Sequence, residues 1–216
     1  MIRQFIYQVL FTLLFLSSCR ESQQKANDAP APISAVITDD SISPPMPQGN
    51  PGKGIAGVFD VPEMLCLSRM DSAPAREIPK KVPQNFLILH KELERVGAEQ
   101  DGPPGQLNYN NDTSNFKFEC VVLIREMPKI QPRNCNVVIL EASKMVIYNY
   151  YGPYGGLFNA YREIGEYCRK NNLVQTGPQR EFYVSDPGVE KDPSKRLTRI
   201  MVPVMSTKTA AAEVTK

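Results

Sequence analysis

Glu181 and Tyr183 stand two residues apart in Arg180-Glu181-Phe182-Tyr183-Val184, a run in which polar and apolar residues alternate. Alternation of period two is the pattern of a half-buried β-strand, with Phe182 and Val184 on one face and Glu181 and Tyr183 on the other. An acid beside a phenol has two chemistries open to it. The carboxylate can be the counter-charge to a cation, with each nearby aromatic ring adding roughly 0.5–2 kcal/mol of cation–π attraction. It can instead act as general base on water while a tyrosine hydroxyl orients the substrate. The plainer alternative is a charge that is solvated or ion-paired on an outer sheet face. On a concave, aromatic-lined face the acid would be partly desolvated, its pKa raised and its unpaired anion costly.

Other tyrosines extend the candidate set. Tyr148 and Tyr150 share a face of an earlier strand, and the sequence leaves open which face that is. Tyr154 stands just ahead of a helix. Tyr161, at helical spacing within it, reads as core. The expected ligand contacts are therefore Glu181, Tyr183, Tyr148, Tyr150 and Tyr154, joined below by Gln106.

The elements that must position these residues occur twice. "GPPGQLNYN" from Gly102 and "GPQREFYVS" from Gly177 lie 75 residues apart. A helix-period segment precedes each. About 83–96 aligns Phe86, Leu89, Leu93 and Val96 on one stripe, with its Lys and Glu residues on a solvated face. About 156–171 does the same with Leu157, Tyr161, Ile164 and Cys168. At this offset Phe86 falls on Tyr161 and Gln106 on Glu181, with Asn108 in the place of Tyr183. A strand precedes each helix ("EMLCLSRM", "KMVIYNYY") and another closes each half ("FKFECVVLI", "LTRIMVPV"). The fold expected is α+β, two strand-helix-strand-strand units related by a pseudo-twofold axis in one antiparallel sheet. Both helices would cover one face, and a ligand cleft would lie at the junction, lined by the opposite face. Repeat one spans about 61–130 and repeat two about 136–205, within a domain of 58–205.

Before that domain the chain has another character. Residues 1–18 carry a single charge, Arg3, and a mostly apolar run from Phe5 to Leu16, too short to span a bilayer comfortably but fitted to an export signal. Leu16-Ser17-Ser18-Cys19 resembles the lipobox of bacterial lipoproteins. That resemblance implies lipidation of Cys19, which would become the first mature residue of a protein anchored in the bacterial cell envelope. Residues 19–57, rich in Ser, Pro, Gln and Gly, read as a tether, and 206–216 as a disordered tail.

Of 25 Lys and Arg residues only Arg3 falls in 1–18, and 23 acids oppose the rest, so the mature chain is close to neutral. Nothing in it resembles a basic nucleic-acid-binding domain. Cys66, Cys120, Cys135 and Cys168 sit in apolar surroundings and read as free, hydrophobe-like cysteines, disulfides being the alternative that an envelope address permits. Their spacing matches no metal knuckle, and the one histidine, His90, reads as an exposed helix residue. No metal and no cofactor are expected.

With these residues in place, the second half resembles the GyrI-like small-molecule-binding domain, also the effector-binding domain of AraC- and MerR-type activators. The likeness rests on Gly152-Pro153-Tyr154, the helix with Tyr161, Gly177-Pro178, Glu181-Phe182-Tyr183, Asp186-Pro187 and the closing strand through Pro203-Val204. It covers about 135–205 closely and about 61–130 by architecture. It implies the duplicated fold and a cleft for bulky, often cationic or amphipathic compounds, faced by a glutamate at the position of Glu181. The chain differs from those regulators in its export signal and in having no helix-turn-helix. The resulting expectation is an envelope-anchored module that binds an apolar or cationic small molecule. The alternatives are a hydrolase with Glu181 as base and a tyrosine partner, or a protein-interaction lipoprotein.

Overall fold

The computed structural model describes residues 52–208. The expected export signal at 1–18, Cys19, the expected tether up to residue 51 and the expected tail from 209 onward lie outside the described residues. In chain order the elements are β1 (Gly54–Val61), β2 (Met64–Ala73), α1 (Ile78–Val96), β3 (Gly105–Asn108) and β4 (Phe116–Leu123). There follow β5 (Asn136–Leu140), β6 (Ser143–Tyr151), α2 (Leu157–Lys170), β7 (Leu173–Gln175), β8 (Gln179–Tyr183) and β9 (Leu197–Ser206). The strands form one antiparallel sheet in the order β1-β6-β9-β8-β3-β4-β2-β5, with β7 joined to β9.

That order reads the same from both ends once the repeats are exchanged. β2, β3 and β4 of repeat one match β6, β8 and β9 of repeat two, and the β3–β8 pair lies at the centre. Gln106 is the direct cross-strand partner of Glu181. Residues 75 apart thus face each other where the pseudo-twofold axis crosses the sheet. Gly105 permits this junction to close. A Cβ there would come within 2.8 Å of the Glu181 carbonyl and 2.7 Å of the Phe182 ring.

Three strands, β1, β5 and the short β7 that pairs with β9, were not expected from the sequence. β5 pairs with β2 and β1 with β6, so these two flank the strands that precede the helices. The tether boundary moves accordingly, because Gly54–Gly57 belong to β1. Gly54 and Gly57 have φ of +103° and +139° and give the segment a linker's look. Ile55 and Val58 nevertheless pack into the core beneath α2. Ser206, assigned to the tail, ends β9 opposite Leu173.

Helix α1 starts at Ile78, five residues before the expected Pro83. Proline is favoured in a first turn, but here Pro79 occupies that turn and Pro83 lies inside the helix. Gly97 ends the helix in the left-handed region at φ +64°, while the Ala98 N–H reaches the Leu93 carbonyl at 3.1 Å. The predicted stripe is the buried one: Phe86, Leu89, Leu93 and Val96 pack with Leu67, Phe118, Cys120 and Val122. Beneath α2, Ala160 and Ile164 pack on Val146, Ile200 and Val202.

Both helices therefore lie on one sheet face, and the cleft lies between them on that same face. This corrects the expectation that the opposite face lines it. The opposite face is packed with its own apolar layer, which joins Val61 and Leu140 near the two sheet edges to Val121, Ile147 and Met201 near the middle. A sheet that curls over its own side chains leaves no room there. Two readings of α1 are also corrected. His90 is buried, its Nδ1 has no hydrogen-bond partner among the described residues, and its pKa is pushed down to about 4 by burial. Glu92 is buried rather than solvated. It accepts from Arg95, from the Arg133 N–H at 2.9 Å and from Asn134 Nδ2 at 2.9 Å, and so fastens the 126–135 loop to the helix. All four described cysteines are free. Cys66 and Cys120 lie in different core layers, so these two point away from each other.

Candidate ligand-binding site

Alternation along β8 turns Glu181 and Tyr183 toward the helices and Arg180 and Phe182 toward the opposite layer. Along β3 the same rule turns Gln106 and Asn108 the same way. The four residues form the floor of a cavity of about 1030 Å³ between the two helices. Ile78, Val82 and Phe86 of α1 line one wall, and Leu157, Phe158 and Tyr161 of α2 line the other. Tyr154, from the turn before α2, stands beside them.

Glu181 is only 5% exposed, and among the described residues no cationic side chain pairs with it. Neutral groups surround it instead. Its Oε1 accepts from the Tyr161 hydroxyl in a short hydrogen bond and from Asn108 Nδ2 at 2.9 Å. Its Oε2 accepts from the Tyr183 hydroxyl at 3.3 Å. Gln106 Nε2 donates to Asn108 Oδ1 at 2.7 Å, which holds the Asn108 amide with its NH₂ toward the acid. Burial pushes the carboxyl pKa up, and the hydrogen bonds from Tyr161, Asn108 and Tyr183 oppose that without cancelling it. The outcome is a desolvated acid with donors but no counter-ion.

The rings around it are fixed by contacts with one another. Tyr183 meets Tyr154 edge-on at a centroid distance of 5.3 Å and Phe86 at 6.1 Å. Tyr154 has its hydroxyl pKa pushed up to about 12 by burial, so it remains a neutral phenol at ordinary pH.

Of the residues expected from the sequence, Glu181, Tyr183, Tyr154 and Gln106 meet in this cavity. Tyr148 and Tyr150 do not, which corrects their assignment. Both lie on the helix-facing side of β6 but are covered by α2 itself. Tyr148 donates to Glu163 at 2.7 Å and Tyr150 to the Pro153 carbonyl at 2.8 Å. Tyr150 still shapes the site indirectly. Its ring occupies the space where Cβ atoms on Gly152 and Gly156 would stand, so the turn that presents Tyr154 is moulded around it.

Tyr161 is the reverse correction. Read as core, it lines the cavity and donates to Glu181. The signal was present, since a hydroxyl stands where Phe86 stands in the other repeat. The α1 wall was missed because its residues Ile78 and Val82 precede the assumed helix start. Among the described residues no three His, Cys, Asp or Glu side chains group closely enough to hold a metal ion.

The profile of the GyrI-like small molecule binding domain matches residues 74–205. Among solved structures, the EcmrR C-terminal domain superposes with a TM-score of 0.62 at 21% identity, covering 69% of this chain and 96% of that one. An uncharacterized conserved protein from Listeria innocua superposes with a TM-score of 0.54 at 17% identity, covering 71% and 92%. EcmrR in its DNA complex gives 0.60 at 20% identity, and this match covers 69% of the present chain but 56% of that one. At such identities the likeness is one of fold. No curated protein matches the chain in sequence.

Proposed function

We propose that this chain, which belongs to the GyrI-like small molecule binding domain family, is a lipid-anchored envelope protein that holds an apolar cation in its interhelical cleft, with Glu181 as the counter-charge. The observation that carries the reading is the state of Glu181. A buried carboxylate without a cation is costly, and a ligand cation removes that cost where water cannot. The three hydrogen bonds to the acid come from neutral groups and leave its charge uncompensated. Phe86, Tyr154, Tyr161 and Tyr183 supply faces and edges for an organic cation. Anchoring rests on Cys19 and the residues before it.

The test compares a benzyl-substituted quaternary ammonium with its uncharged carbon isostere, read by thermal shift and titration calorimetry. Binding to the folded state alone raises the melting temperature. The cation is expected to bind more tightly than the isostere, and Glu181→Gln to weaken the cation about 100-fold while leaving the isostere within a few-fold. Because burial raises the acid's pKa, protons compete with the cation, and cation affinity falls as pH drops through that raised value. Equal affinity of both probes for the parent protein would refute the counter-charge. For the anchor, Cys19→Ser is expected to move the protein from the membrane fraction to the soluble one.

A further inference from the structure

The donors to Glu181 are unevenly spread over its two oxygens. An ionised carboxylate offers about four acceptor sites, two on each oxygen. Oε1 accepts from the Tyr161 hydroxyl and from Asn108 Nδ2, so both of its sites are taken. Among the described residues Oε2 accepts only from the Tyr183 hydroxyl, at 3.3 Å. One site on Oε2 is therefore open, on a residue that lines the cavity.

The Tyr183 proton is itself poorly held. Two acceptors lie within its reach, Glu181 Oε2 at 3.3 Å and Gln106 Oε1 at 3.5 Å. Both are longer than the roughly 2.7–2.8 Å usual for a hydroxyl donor, and a single proton serves one of them at a time. Gln106 keeps its oxygen for this purpose because its Nε2 donates to Asn108 Oδ1 at 2.7 Å, which fixes the end of the amide that meets Tyr183. Gln106 and Glu181 are direct cross-strand partners, so the proton passes from acid to amide by rotation about the phenol C–O bond. The ring need not move, and it is held edge-on by Tyr154 and Phe86.

From this arrangement we infer that the cleft selects cations by their N–H groups, taking a protonated tertiary amine in preference to a quaternary ammonium or a guanidinium, and that Gln106 with Tyr183 sets the preference. This rests on the counter-charge reading above. One ligand N–H reaches Oε2 while the Tyr183 proton turns to Gln106, and every polar group involved keeps a partner. A bond between two ionised groups then replaces a long one from a neutral hydroxyl. A quaternary ammonium brings charge without a donor and leaves Tyr183 where it is. A guanidinium pairs two N–H groups with two carboxylate oxygens side by side, and Oε1 is full. Its other N–H groups would enter a cleft walled by Ile78, Val82 and Leu157, where a donor without a partner costs binding.

The experiment titrates the protein by calorimetry at pH 7 and constant ionic strength with three probes that share a benzyl group. These are protonated benzyldimethylamine, benzyltrimethylammonium and benzylguanidinium. The tertiary amine is expected to bind about 10-fold more tightly than the quaternary probe, with the guanidinium weakest. Gln106→Leu removes the second acceptor for the Tyr183 proton, and the ratio of tertiary to quaternary affinity should fall to about two-fold or less. Tyr183→Phe gives an independent reading. It frees Oε2 outright, so the same ratio should rise about three-fold above the parent's. A variant that merely loosens the fold moves both affinities together and leaves the ratio alone. Equal binding of the tertiary and quaternary probes by the parent, or a ratio indifferent to both variants, overturns the selection by N–H groups. The counter-charge then still stands if both probes bind more tightly than the uncharged isostere. A quaternary probe that binds no more tightly than that isostere overturns the counter-charge and this inference with it.

Discussion

Phe86 and Tyr161 hold matching places on the two helices, 75 residues apart, yet they do different work. Phe86 is 2% exposed and meets the Tyr183 ring edge-on, making the α1 side of the cleft apolar. Tyr161 carries a hydroxyl into the same cleft and gives it to Glu181, making the α2 side polar. Each helix contacts the strand of the other repeat, since Tyr183 lies on β8 and Asn108, which bonds Tyr161, lies on β3. On the axis itself Gln106 opposes Glu181. The fold is close to symmetric where symmetry is a matter of packing. Among its departures from symmetry is the axis pair, where identical acidic residues would repel. Two carboxylates as direct cross-strand neighbours, with Cβ atoms about 5 Å apart, cannot both stay charged in a buried site. A twofold cleft can hold one buried acid on its axis more easily than two.

The largest test of this contrast is Phe86→Ala against Tyr161→Ala. Phe86 is enclosed between α1 and the sheet, so its removal is expected to cost about 4 kcal/mol in urea unfolding. Tyr161 is half-buried at the cavity wall, and its loss opens onto space already present. A cost of about 2 kcal/mol is expected there. Equal costs would mean that the two helices are held alike and that the polar side is structural too.

Next in size is Gln106→Glu, which makes the axis pair acidic on both sides. At pH 7 the expected destabilisation is about 3 kcal/mol, from a second buried charge with no counter-ion. The sign with pH follows from linkage. Both carboxyls would have folded-state pKa values above their unfolded ones, so the folded state binds more protons, and the penalty present at neutral pH shrinks on acidification. Melts at pH 7 and pH 5 should show Gln106→Glu recovering toward the parent. An unchanged gap between the two pH values would argue that the residue 106 side chain escapes the axis.

Much of this was readable in the sequence, and what was missed has identifiable causes. Period-two alternation placed Glu181 and Tyr183 on one face, and the 75-residue offset found Gln106 opposite, because strand pairing obeys local rules. The order strand, helix, strand, strand emerged for the same reason. Edge strands β1 and β5 escaped notice because glycines and a short Asn136–Leu140 segment give weak local signals, and their pairing is decided by β6 and β2 far along the chain. The side of the sheet that bears the cleft was misread because curling of the sheet depends on all strands at once. Tyr148 and Tyr150 illustrate the remaining gap. They share a face with the cleft, and only the position of α2 above them decides that they bond Glu163 and Pro153 instead of a ligand.

The smallest expected effect is the most informative about the acid. Tyr161→Phe removes one hydroxyl and leaves the ring, so the stability cost should be about 1 kcal/mol. It deletes the first of the hydrogen bonds that oppose the effect of burial on Glu181. The carboxyl pKa then rises further, because the donor favoured the charged form. In the proposed reading cation binding requires that form, so the pH at which affinity is half-lost should move upward in Tyr161→Phe, while binding of the uncharged isostere stays flat with pH. Stability alone follows the opposite course. The folded state already favours the protonated acid, so in the absence of ligand Glu181 makes the parent more stable as pH falls from neutral through the raised folded pKa toward the unfolded value, and Tyr161→Phe should steepen that trend. A merely structural tyrosine would lower stability equally at every pH and leave the binding midpoint where it was. Phe86→Tyr completes the contrast from the other repeat. It puts a hydroxyl at the matching position facing Tyr183 and not the acid, and is expected to leave the binding midpoint in place.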